Sequence, residues 1–159
     1  MDIRKYTPEL HEELLKLTLR AWSPVFDKTQ HDVPEFVYRN FYPQGWAARQ
    51  KADVSDYLQA EGAQCHVAWV NDAPAGFIGL KVHHEDNMGE VVIIAVAPRI
   101  QGQGLGRALM RVGEAEFARL GRGMVMVETV GDSGHAPARR LYESSGFERW
   151  PVARYFKPL

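Results

Sequence analysis

The 159-residue chain has a single cysteine, Cys65. One cysteine excludes an internal disulfide framework and suits a reducing compartment. Cys65 opens an apolar strand pattern and reads as a small core residue rather than a nucleophile. No apolar run approaches the roughly 18 residues of a membrane span. The start, Met1-Asp2-Ile3-Arg4-Lys5, lacks the apolar core of a secretory signal, so the expected location is the cytoplasm, with no membrane contact. Net charge is −1, which gives no footing for nucleic acid. His83-His84-Glu85-Asp86 is the only run that invites a metal. Adjacent histidines on a strand point to opposite faces, and there is no H-x3-H or C-x2-C spacing, so no metal site is expected. Repeats, linkers and low-complexity segments are also missing. Hydrophobic content of 45% and charged content of 25% are ordinary for a globular protein, and the length suits one domain, 1–159.

What is present concentrates in Val91-Val92-Ile93-Ile94-Ala95-Val96-Ala97-Pro98-Arg99-Ile100-Gln101-Gly102-Gln103-Gly104-Leu105-Gly106-Arg107. An apolar strand ends at Pro98, glycines alternate, and a helical pattern follows. The free N–H groups at a helix N-terminus form an anion site, and glycines let a phosphate approach the main chain. A P-loop requires Gly-Lys-Ser/Thr, but Arg107-Ala108 follow Gly106. A dinucleotide fingerprint requires G-x-G-x-x-G, and its third glycine would fall on Arg107 or Leu109. Both owners of the pyrophosphate fail.

Gln101-x-x-Gly104-x-Gly106 resembles the Q/R-x-x-G-x-G/A signature of the GNAT N-acetyltransferase family. Ala138-Arg139-Arg140-Leu141-Tyr142-Glu143-Ser144-Ser145-Gly146-Phe147 is similar to the same family's A-x-x-L-Y-x-x-x-G-F segment, with Tyr142 lying 41 residues after Gln101. The likeness covers roughly residues 65–157. It implies an α+β fold, a curved, mixed and mostly antiparallel sheet flanked by helices. It also implies acetyl-CoA as co-substrate, held by Gln101, Gly102, Gln103, Gly104, Leu105, Gly106 and Arg107, with the pantetheine arm along Ile94, Ala95 and Val96.

Acetyl transfer to an amine needs a proton acceptor, donors for the oxyanion and a proton for the leaving thiolate. The resemblance puts Tyr142 beside the sulfur as that last donor; the alternative is a ring packed on the sheet. Glu90 holds the position of a family glutamate base. Desolvation at the edge of an apolar strand would raise its pKa, although it also reads as a solvated charge after a hairpin. Glu128, within Met126-Val127-Glu128-Thr129-Val130, is its rival. His135 stands where many members carry a cofactor-binding asparagine; it replaces that contact, acts as acid or base, or is an exposed cap residue. Seven aromatics fall between residues 22 and 46. Of these Trp22, Phe26, Tyr38 and Tyr42 are expected to wall an acceptor cleft, or to pack helices on the sheet.

Residues 1–88 carry a charge balance of −4 and residues 89–159 one of +3, which favours a cationic acceptor on one side and a polyanion on the other. The function expected is N-acetylation of a small-molecule primary amine by direct transfer in a ternary complex, by a monomer or homodimer. A peptide N-terminal or lysine acceptor and a non-catalytic CoA sensor are the alternatives. Strands are expected over 1–6, 65–71, 75–84, up to Pro98 and over 124–130, with two more around Pro151. Helices are expected from Thr7-Pro8 to Ser23-Pro24, over 104–120 and over 136–145.

Overall fold

A computed structural model describes residues 2–159. Five strands form one sheet in sequential order, β1 (Asp2–Lys5), β2 (Cys65–Val70), β3 (Ala73–His83), β4 (Met88–Val96) and β5 (Met124–Val127). The first three pairings are antiparallel and β4 with β5 is parallel. The strand expected over 1–6 is thus β1, Met1 lying outside the described residues. The β2–β3 turn holds Asn71 and Asp72 at φ 50° and 56°. Two successive left-handed residues match the right-handed twist of the flanking strands.

Helices cover both faces. On one side α1 (His11–Asp32) and α3 (Trp46–Glu61), linked by the short α2 (Glu35–Phe41), enclose Leu14, Leu17, Val54, Leu58, Val67 and Phe77. On the other, α4 (Leu105–Arg119) and α5 (Ala136–Ser144) cover Ile78, Leu80 and Val91 with Leu105, Leu109, Met110 and Phe117.

The register shifts once between β3 and β4. Gly79 faces Ile93 and Leu80 faces Val91, so Val92 is an extra residue. Side-chain direction changes with it. Val91, Ile94 and Val96 join the α4 layer, while Ile93 and Ala95 join the α1–α3 layer. Such a bulge bends its strand and increases local twist. The last β4–β5 pair is Val91 with Val127. Beyond the bulge β4 runs on to Val96, still paired with β3 but with no strand on its β5 side, and the sheet opens into a fork.

Three expectations are corrected. The first helix does not stop at Ser23-Pro24. It passes through Pro24, which removes one intrahelical donor, and ends at Asp32. Burial of Phe26 and Thr29 beyond the proline keeps the helix in register with the core. Thr7 is extended but makes no side-chain cap, and a 3-10 turn over Pro8–Leu10 leads into α1. Residues 147–157 form no strand. Among the described residues nothing pairs with the outer edge of β5, Trp150 and Tyr155 are 86% and 91% exposed, and a Phe156–Phe41 ring contact at 5.7 Å ties this segment to α2. Pro151, without an N–H, weakens any ladder there.

Tyr57 of α3 completes the sheet. β2 begins at Cys65 opposite Gly79, so Leu80 has no strand partner on that side. The Tyr57 hydroxyl accepts the Leu80 N–H at 2.7 Å and donates to its C=O at 2.9 Å. Gly79 leaves room for the ring, since a Cβ there would lie 2.7 Å from Tyr57. Tyr57→Phe is expected to lower stability by about 1–3 kcal/mol, because two buried backbone groups lose their partner. A midpoint in urea equal to that of the unsubstituted protein would refute this role.

Candidate active site at the fork of the sheet

Three elements meet where β4 and β5 part. The first is the free flank of β4. Ala97 N–H bonds to Ala75 C=O at 2.8 Å. Backbone groups alternate sides along an antiparallel strand, so the N–H and C=O of Ile94 and Val96 face the fork. The Val96 carbonyl is taken by the Gln101 side-chain amide at 3.0 Å. The remaining groups offer donors and an acceptor to an extended amide-bearing chain.

The second element is the turn into α4. Gly102 and Gly104 have φ 77° and 85°, with open space where a Cβ would stand. The first helical bond is Ala108 N–H to Gly104 C=O. Among the described residues, no backbone N–H from Gly102 to Arg107 meets a backbone carbonyl. Six consecutive free donors at the positive end of a 15-residue helix form an anion cradle. Arg107 and Arg111, one turn apart and both exposed, add cations beside it. Gly106 also has a packing role. A Cβ there would lie 3.2 Å from Leu141, so this glycine lets α5 sit close against α4.

The third element is α5. Tyr142 is half-buried among the residues that include Ile94, Val96, Leu105 and Leu141, with its ring 6.3 Å from Phe147. Burial pushes its phenol up to about 12, so the group is a proton-bearing donor at every ordinary pH.

The other expected residues are distributed unevenly. The Glu90 carboxylate is 2.6 Å from His83 Nε2 and lies opposite Met126, where the sheet is still closed. Glu128 is not inside a strand, because β5 ends at Val127. It is exposed, 4.0 Å from Arg154. Phe26 is 5% exposed, stacked on Trp46 at 4.8 Å and edge-on to Tyr42 at 5.3 Å. It is a packing centre rather than an open wall, because α1 continues far enough to enclose it. Trp22, Tyr38 and Tyr42 stay half-buried, with Tyr38 and Tyr42 5.0 Å apart. Burial is the main cause that raises both phenols; Asp27 adds to it at Tyr38, while at Tyr42 the lowering by Arg49 is opposed by Tyr38, Asp132 and Asp53.

His135 is not an exposed cap residue. Its Nδ1 lies 2.9 Å from both oxygens of Asp132, whose side chain is 4% exposed. The same carboxylate accepts the His135 backbone N–H at 3.1 Å and lies 3.3 Å from the Thr29 hydroxyl of α1. The sequence reading missed Asp132, Thr29 and His83. For Asp132 a signal was there: an acid three residues before a histidine that opens a proline-bearing helix is a capping pattern.

Comparison with known proteins agrees with this geometry. The family model described as "Acetyltransferase (GNAT) family" matches residues 27–147. A mycothiol acetyltransferase of Stackebrandtia nassauensis is 33% identical over 150 residues, which cover 90% of this chain and 48% of that protein. The chain thus spans about half the length of that relative. Among solved structures, the PaiA N-acetyltransferase of Thermoplasma acidophilum in complex with coenzyme A superposes with a TM-score of 0.69 at 16% identity, over 96% of this chain and 92% of that one. The ribosomal-protein-S18-alanine N-acetyltransferase of Escherichia coli superposes with a TM-score of 0.68 at 22% identity, over 99% and 84%. At such identities the superpositions speak for the fold, and the matched sequence carries the assignment: the chain belongs to the GNAT acetyltransferase family.

Proposed function

We propose that this chain moves the acetyl group of acetyl-CoA to a primary amine of a small molecule, directly, with both substrates bound at once. The observation that carries the reading is the adjacency of six free N–H groups to an unpaired strand flank. A pyrophosphate fits the first and the amide-bearing arm of coenzyme A fits the second. In this reading Gly102 to Arg107 bind the phosphates. Ile94 and Val96 pair with the arm, while Ala95, whose side chain enters the core, holds the strand in place. Gln101 fixes the loop by closing on Val96. Tyr142 presents its proton to the leaving sulfur, and the raised phenol keeps that proton in place until the thiolate forms.

The acceptor side is formed by Trp22, Tyr38 and Tyr42. Faces of electron-rich rings attract a cation, and the acidic balance of residues 1–88 adds to that attraction. Relatives named for mycothiol favour a small-molecule acceptor. The donor and acceptor elements belong to one chain, so a second copy is not required for chemistry.

Calorimetry with acetyl-CoA is expected to show saturable binding near one per chain, with NAD and ATP much weaker. Equal affinity for the three would discard the cradle assignment. Tyr142→Phe is expected to leave acetyl-CoA affinity unchanged and to lower kcat by about 10²–10⁴-fold, the usual worth of a positioned proton donor. Steady-state kinetics alongside calorimetry would separate these terms. Turnover at the unsubstituted rate would remove Tyr142 from the chemistry.

A further inference from the structure

We infer that His135, held by Asp132, receives the proton that the acceptor amine must lose, through at most one water. The inference rests on the transferase reading above and adds the proton acceptor, for which neither expected carboxylate is well disposed. Glu90 is engaged by His83 in the closed half of the sheet, and Glu128 faces solvent with Arg154.

A carboxylate only accepts, so the Asp132 contact places the proton of a neutral His135 on Nδ1 and leaves the lone pair on Nε2. Among the described residues Nε2 makes no hydrogen bond, and it is not one of the buried unpartnered atoms. The His135 side chain is 19% exposed. The ring is therefore fixed at one nitrogen and open at the other. Its placement suits the task. His135 caps α5 at its N-terminus, seven residues before Tyr142, which stands two turns farther on, roughly 10 Å along the helix axis. The dyad also touches the acceptor side. Asp132 reaches Thr29 on α1, and its charge helps to raise the phenol of Tyr42, after burial and Tyr38, against the lowering by Arg49. A Cβ on Gly134 would collide with the Val25 carbonyl, which shows how closely this loop is seated on α1.

Other charged groups around the pair have their own partners. Asp32 accepts the Ser133 N–H at 2.6 Å, with Lys28 and His31 beside it on α1. Arg139 donates to the carbonyls of Val130 and Asp132 at 2.7 and 2.8 Å. Among the described residues, no cation other than His135 forms a salt bridge with Asp132.

The step balances. His135 Nε2 takes one proton from the ammonium. The freed nitrogen lone pair forms the C–N bond to the acetyl carbon, and the C–S bond breaks with its electron pair on sulfur. Tyr142 supplies a proton to that sulfur and is replenished by the second proton of the amine. His135 returns its proton to solvent, so the net products are amide, free thiol and one proton.

The test compares the unsubstituted protein with His135→Asn and Asp132→Asn, using acetyl-CoA calorimetry and acetylation of 2-phenylethylamine across about pH 5–8, where histidine titrates. Expected for His135→Asn is unchanged acetyl-CoA affinity, kcat/KM lower by about 10²–10⁴-fold, and loss of the acidic limb of the unsubstituted profile. Asp132→Asn is expected to lower kcat/KM at unchanged acetyl-CoA affinity, because an amide can donate to Nδ1 and so place the ring proton on Nε2. Nitrogen-15 spectra of the unsubstituted protein are expected to show a neutral ring protonated on Nδ1. An unchanged pH profile in His135→Asn overturns the inference. So does weakened acetyl-CoA binding at retained kcat, which would make His135 a cofactor contact. A neutral ring protonated on Nε2 overturns it without any turnover, and decides the matter if the probe amine is not accepted. Failure of the unsubstituted, folded protein to bind acetyl-CoA overturns the transferase reading instead.

Discussion

The separation of β4 from β5 is the constraint on which the rest of the structure depends. A sheet is stable because neighbouring strands satisfy each other's backbone groups, and a strand that loses its neighbour inside a protein leaves donors and acceptors that must be bonded elsewhere. Here the extra residue Val92 turns β4 just after its last pairing with β5. The resulting fork is lined on one flank by main chain alone. Gln101 closes one of the exposed carbonyls with its side chain. Tyr57 performs the equivalent service across the sheet, where β2 ends too soon for Leu80. Between these two repairs the sheet keeps its continuous pairing, and the free groups of β4 face the fork.

The length of α1 decides what surrounds that opening. Had the helix stopped at Pro24, neither Thr29 nor Asp32 would lie under the 131–135 loop. Their contacts to Asp132 and Ser133 join segments more than 100 residues apart. The same helical extension carries Phe26, which Trp46 and Tyr42 enclose. Because rings that pack against one another move little, this cluster presents Tyr38 and Tyr42 as a preformed surface, and less ordering entropy is lost on binding. The price of that arrangement is one missing backbone hydrogen bond at Pro24.

The strand, glycine turn and helix were legible in the sequence because each is written in local terms: an apolar run, residues that permit positive φ, and a periodic apolar stripe. So were the hairpins, since Asn71-Asp72 declare their turn. What could not be read locally depends on partners far along the chain. A proline is a stop signal only if burial does not continue beyond it, and the burial of Phe26 and Thr29 is a tertiary fact. Gly106 looks like its neighbours in a glycine-rich loop, yet it is conditioned by Leu141. The tail from Phe147 reads as two strands, yet it leaves the open edge of β5 unpaired. Glu128 sits in an apolar pattern that outlasts its strand, because the fork, not the propensity, sets where β5 ends. His135 was visible as a departure from a family pattern, whereas its ring partner required seeing that a 3-10 turn brings Asp132 back onto it.

An acyl transfer from a protonated amine needs a proton acceptor and a proton donor with different affinities, close together but not exchanging with each other. Burial of Tyr142 makes the phenol a poor acid in isolation, with its proton held up to about 12. Such a group gives a proton only to a base generated beside it, which protects the site from early ionisation. The imidazole of the proposed dyad is arranged in the opposite sense, because Asp132 fixes its proton on Nδ1 and leaves the Nε2 lone pair to accept one. His135 caps α5 and Tyr142 stands two turns farther along, so this one helix sets their separation. The helix is in turn positioned by the close approach of Leu141 to Gly106, within the anion cradle of α4. Thiolate protonation and amine deprotonation would then depend on one element seated on the phosphate site, so a displacement of α5 would affect both together.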